Sequence, residues 1–227
     1  MTDDRKGGAA LIAGAVLGLL TMSLHPSGRD LLATGQFSPT AFLAGLAHAI
    51  AIASMPLSFL GALALSRRLA APDRLAVAAL VVYGFALAAG LAAATLSGFV
   101  APGLARQLID ASPPATDHWR VLFQYNGLLN QAFARVLVVA SATAIVLWSL
   151  SIVSRRALAP GVGIYGLVSG PVIVVAVVSG HLRLDVHGFG LVVLAQSAWF
   201  IIVGARLWRS GLETGAHRPG GVHSPSP

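Results

Sequence analysis

The chain has 227 residues, 56% hydrophobic and 10% charged, with a mean hydropathy of +0.79 and a formal net charge of +7. Soluble domains carry about a quarter charged residues, so these figures exclude an ordinary water-soluble domain and intrinsic disorder. Cysteine is absent, which excludes a disulfide framework, a thiolate metal site and a cysteine nucleophile. The basic residues, Lys6 and fourteen arginines, are scattered between long apolar runs. That distribution reads as a topology code and not as a nucleic-acid surface. Together with the abundance of Ala, Gly, Leu and Val it suggests a GC-rich bacterial genome.

A helix needs about 20 mostly apolar residues to cross a hydrocarbon core of about 30 Å. In chain order the qualifying stretches are Gly8–Leu24, Ala41–Leu65, Leu75–Phe99, Leu128–Val153, Val162–Gly180 and Phe189–Leu207. Backbone in lipid must satisfy its own hydrogen bonds, so each run is expected as a helix, and the lack of strand alternation argues against a barrel. Arg5 and Lys6 precede the first run as in a signal peptide, but SLHPSGRD follows without a small-x-small site, so the first helix is expected to be retained. Residues 1–210 are read as one transmembrane domain. The Gly-, Pro-, Ser- and His-rich residues 211–227 are read as a disordered cytoplasmic tail.

Orientation follows from the basic residues. Arg5, Lys6, Arg67, Arg68, Arg74, Arg155, Arg156, Arg206, Arg209 and Arg218 fall on one side, against Arg29, Arg106, Arg120 and Arg183 on the other. Under the positive-inside rule both termini are cytoplasmic. The fold class is therefore all-α, a polytopic bundle of six transmembrane helices, N-in and C-in, in a bacterial inner membrane. LSRRLAAP (65–72) and VSRRALAP (153–160) end the second and fourth spans and hint at related helical hairpins. Trp148, Trp199 and Trp208 are expected in the inner aromatic belt, with Trp119 and Tyr125 serving the outer side. Ala86, Gly90 and Ala94 recur every four residues as a small-residue contact face.

Depth counting brings out a polar layer. Nineteen residues of helix climb about 28 Å; Lys6 plus nineteen is His25, Arg67 minus nineteen is His48, and Arg206 minus nineteen is His187. Arg155 minus twenty is Arg135, and His181 directly follows the fifth span. His25, His48, Arg135, His181 and His187 are thus expected near one plane at the outer face, with His118 in the adjoining loop. An arginine there needs a partner or water, and Asp185 is the preferred one, ahead of Asp30, Asp110 and Asp117. Asn126 and Asn130, and Gln131 and Arg135, are each four apart and would extend the layer as a polar face of the fourth helix. His181 and Asp185 would share a face if helical.

Paired imidazoles can hold a haem b iron axially. Three imidazoles from His25, His48, His181 and His187 can hold copper or zinc, with Met22 as a soft ligand, and a plain structural polar layer is the alternative to both. GVGIYG (161–166) matches GxGxxG but opens a membrane span, so a dinucleotide site is rejected on context. No P-loop, HExxH or GxSxG signature is present, and enzymatic activity is left undecided. The reading carried forward is an inner-membrane protein with a His-rich periplasmic site binding haem or a metal ion for redox chemistry or metal handling. A small transporter or proton-coupled permease and a structural or assembly subunit are the alternatives. Its expected partners are the lipid bilayer and other membrane subunits or a second copy, with no nucleic acid.

Overall fold

A computed structural model describes residues 3–25, 39–69 and 74–216, with side chains to residue 212. Every regular element among them is helical, and six helices are long and apolar enough to cross a membrane: α1 Asp3–Leu24, α2 Pro39–Leu69, α3 Arg74–Asp110, α4 Pro113–Arg155, α5 Pro160–Val178 and α6 Val186–Ala216. Five of the six apolar runs read from sequence lie within these helices, and the fifth, Val162–Gly180, overruns α5 by Ser179 and Gly180. α6 continues to Ala216, past the boundary at 211 expected for a disordered tail, and residues 217–227 lie outside the described residues.

Hydropathy did not set the helix lengths. α3 and α4 have 37 and 43 residues, or about 55 and 65 Å at 1.5 Å per residue, against a hydrocarbon thickness of about 30 Å. They form a hairpin closed at Ala111–Ser112, and Pro113 begins α4 at a position where its missing N–H costs nothing. α5 has only 19 residues. Its end is shaped by Gly180, at φ 78°, and by the Leu182 N–H reaching back to the Ala176 carbonyl at 2.8 Å. That is the left-handed helix ending for which glycine is suited.

The helices form two groups of three. α1 lies between α2 and α6, and α4 lies between α3 and α5. Each central helix meets its neighbours through residues without bulk. Gly7 faces Ala64 and Gly14 faces Ser58 across α1–α2, and a Cβ at Gly204 would stand 2.8 Å from the Gly8 carbonyl across α1–α6. Gly163, Gly166 and Gly170 of α5 seat against Ser149, Ile145 and Val146 of α4, so two glycines of GVGIYG serve helix packing. Ala86, Gly90 and Ala94 are buried, as expected of a contact face. Close backbone approach through small residues is the main source of helix association where apolar surface gains nothing by leaving lipid.

The two groups are joined by an aromatic cluster. Trp148 of α4 donates its Nε1–H to Ser66 Oγ of α2 at 2.9 Å, stacks on Trp199 of α6 at 6.0 Å, and meets Tyr83 of α3 edge-on at 5.4 Å. Trp199 donates to the Val162 carbonyl at 3.2 Å and meets Phe200 at 5.2 Å. Trp148 and Trp199 are fully buried; they are core residues and not the interfacial belt expected for them. The reason is chemical: each indole N–H has a partner inside the bundle, which removes the need to sit at water.

Candidate functional site

His48 lies on the buried face of α2 with Ala44 and Ala47 and is 5% exposed. Its Nδ1 is 2.7 Å from the Ala44 carbonyl one turn earlier. A carbonyl only accepts, so Nδ1 carries the proton, and in the neutral ring the Nε2 lone pair is left free. α1 ends at Leu24, just before His25-Pro26, because a residue ahead of proline avoids the helical region. His25 therefore leaves the end of α1 and brings its Nε2 to 3.2 Å from His48 Nε2. The ring centroids are 4.7 Å apart and the planes cross at 65°. In the neutral pair His25 is the donor and His48 the acceptor.

The wall behind His48 is an irregularity in α3. Residues Leu96–Val100 form a π-helical turn in which the Ala101 N–H bonds to the Leu96 carbonyl, five residues back. Pro102 explains it: the ring has no N–H to give and crowds the carbonyl four residues earlier. Such turns recur at functional sites. Gly98, inside the turn, abuts the His48 side chain, and a Cβ there would stand 2.7 Å from His48 Cγ and 3.2 Å from Nδ1. Asn126 of α4, which is buried, donates from Nδ2 to the same Leu96 carbonyl at 3.4 Å, while its Oδ1 is buried with no partner.

The other expected residues do not join this pair. His187, His181 and His118 are exposed. His181 Nδ1 faces Ser179 Oγ at 2.8 Å. Residues 181–185 are a turn and not helix, so His181 and Asp185 do not share a helical face. Asp185 instead accepts the Gly188 N–H at 2.9 Å, capping α6 in the manner of an N-terminal carboxylate. It forms no ion pair with Arg135; Arg68–Asp4, Arg106–Asp110 and Arg120–Asp117 are pairs that do form. Arg135 is exposed, so no buried partner is demanded of the fold. Asn130 is half-buried, and Gln131 donates to the Leu184 carbonyl at 3.1 Å, tying α4 to the α5–α6 turn. Met22 extends toward Gly190 of α6. Asp30 lies outside the described residues.

Among the described residues no group of three or more His, Cys, Asp or Glu side chains comes together as a metal cage. The arrangement offers two imidazole nitrogens converging on one point beside the C-terminal end of α1 and the first turns of α2. Gly98, Pro102 and the Leu96 carbonyl were not singled out from sequence. The signal that would have found them is a glycine four residues before a proline late in an apolar run. No protein-family profile, curated protein or solved structure matches the chain.

Proposed function

We propose that this chain is a multi-pass protein of a bacterial inner membrane, both termini cytoplasmic, whose periplasmic mouth binds one transition-metal ion through His25 and His48. The observation that carries the reading is the 3.2 Å separation of the two Nε2 atoms with His48 Nδ1 held by a backbone carbonyl. Two Zn–N bonds of about 2.0–2.1 Å at a tetrahedral angle place their nitrogens about 3.3–3.4 Å apart. A ligating histidine characteristically donates its other N–H to a carbonyl or carboxylate, which fixes the tautomer that keeps the ligating lone pair available. The Ala44 carbonyl does this for His48, and His25 would ligate after its Nε2 proton moves to Nδ1. Imidazole suits zinc and copper, and the remaining coordination positions belong to water or to an incoming ligand.

Haem held axially between these two histidines is a poorer fit, since rings in edge contact leave no slot for a macrocycle. The buried aromatic cluster around Trp148 favours a site that opens to one side over a path across the bundle, and so metal handling over transport. The ten-to-four imbalance of basic residues supports the orientation.

The test is titration of the purified, metal-free protein with Zn²⁺, and with Cu⁺ under reducing conditions, beside His25→Ala and His48→Ala. One equivalent of one of these ions bound by the native chain, weakened at least a hundredfold in each variant, is the expected result. Native protein that takes up neither ion stoichiometrically would overturn the reading.

A further inference from the structure

At the opposite end of the bundle, the seam between α1 and α6 opens into a groove of about 330 Å³ lined by Ile12, Ala205, Trp208 and Arg209. Trp208 also carries the Arg5 guanidinium over its ring, with Cζ 4.9 Å from the centroid. Arg5 Nε is buried and has no hydrogen-bond partner. A buried guanidinium N–H without an acceptor is costly, and a cation held on an aromatic face is already oriented for an anion.

Among the described side chains no carboxylate lies against either guanidinium as a counter-ion. Asp4, next to Arg5, is 3.7 Å from Arg68, Asp3 is exposed, and among the described residues no carboxylate pairs with Arg5 or Arg209. One turn along α1 from Ile12 is Val16, 48% exposed, and the next is Leu20, 43% exposed. On α6, Ile202 is 41% exposed one turn from Ala205. An apolar surface therefore leads from the two guanidinium groups toward the middle of the bundle.

We infer that this groove binds the phosphate-bearing headgroup of an anionic phospholipid, with Arg5 and Arg209 on the phosphate, Trp208 at the glycerol level and an acyl chain laid along Ile12, Val16 and Ile202. A phosphate paired by guanidinium groups takes several charge-assisted hydrogen bonds at once. Basic pockets between membrane helices on the cytoplasmic side are the recurrent form of such sites. A free inorganic phosphate would satisfy the arginines but not the apolar wall, and this difference separates the two sources.

The experiment places the full chain in nanodiscs of phosphatidylcholine doped with phosphatidylglycerol and measures lipid retained after extraction into detergent, by native mass spectrometry. The native protein is expected to retain one phosphatidylglycerol in preference to phosphatidylcholine, and millimolar inorganic phosphate should not displace it. Arg5→Gln with Arg209→Gln should lower the preference roughly thirtyfold, about fivefold per arginine. Ala205→Phe, which fills the groove without changing charge, should abolish retention while the bundle stays folded by circular dichroism. Arg67→Gln with Arg74→Gln, removing two exposed charges outside the groove, should leave the preference intact. Absence of any lipid preference, equal loss in the Arg67 and Arg74 double variant, or displacement by inorganic phosphate would each overturn the inference.

Discussion

Gly98→Ala is the sharpest probe of the histidine pair because it touches neither ring chemically. In an ordinary helix the change favours folding by about 0.8–1.0 kcal/mol. Gly103, five residues further along α3, has nothing within 4 Å of an added Cβ, so Gly103→Ala should show that gain. At Gly98 the same methyl group meets His48, with Cγ at 2.7 Å and Nδ1 at 3.2 Å. The ring is buried and held by the Ala44 carbonyl, so it cannot swing aside without losing that bond. Inserting a methyl group into a well-packed site costs about 1–3 kcal/mol. The two alanine variants should therefore differ by about 1–3 kcal/mol, with Gly98→Ala the less stable, in unfolding titrations followed by tryptophan fluorescence in micelles. Zn²⁺ affinity should fall about 10–100-fold in Gly98→Ala, as when a ligand's supporting contact is disturbed, and stay unchanged in Gly103→Ala. If the two variants match in both stability and affinity, the π-helical turn is not the wall that positions His48.

Other expectations can be measured on the same preparations. Trp148→Phe keeps most of the packing but leaves Ser66 without its donor, and should cost about 1 kcal/mol; Trp148→Ala should cost about 3–5 kcal/mol, both read by the same titrations. Asp185→Ala removes the α6 cap and should destabilise by about 1 kcal/mol, with no change in Zn²⁺ affinity if Asp185 is outside the metal site. Metal affinity should weaken as pH falls, because imidazole must be unprotonated to ligate; a flat profile from pH 8 to pH 5 would contradict histidine ligation. The native chain has no cysteine, so Gly103→Cys should react with an impermeant maleimide in spheroplasts without lysis. Labelling only after lysis would invert the topology.

The number and order of the helices were legible because each coincides with a long apolar run, the pattern that a backbone satisfying its own hydrogen bonds in lipid requires. The lengths of α3 and α4 were not. Hydropathy registers only the part of a helix that sits in hydrocarbon, and the remainder of this hairpin alternates Arg106, Asp110, Asp117 and Arg120 with apolar residues that such counting passes over. Depth arithmetic placed His25 and His48 at one level, which follows from rise per residue alone. It could not assign azimuth, the rotation of each helix about its axis. That is set at the α1–α2 contact by Gly7 and Gly14, and by Gly61 of α2, where a Cβ would meet Leu11 of α1, and it decides that these two histidines meet while His187 is exposed. The pairing of Arg135 with Asp185 failed for a local reason: the Gly188 N–H at the start of α6 claims the carboxylate first.

The position of α1 has a consequence for biogenesis. Of the six helices it is synthesised first, and α2 follows to cover the side bearing Gly7 and Gly14. The other side, where Gly8 meets Gly204, has no protein to touch until α6 has been synthesised nearly two hundred residues later. During that interval a ridge of exposed backbone lacks its packing partner, so completion of the six-helix bundle waits on α6. A chain arrested before Gly204 should leave α1 only half embedded in protein, open to capture by insertion factors or by quality-control proteases.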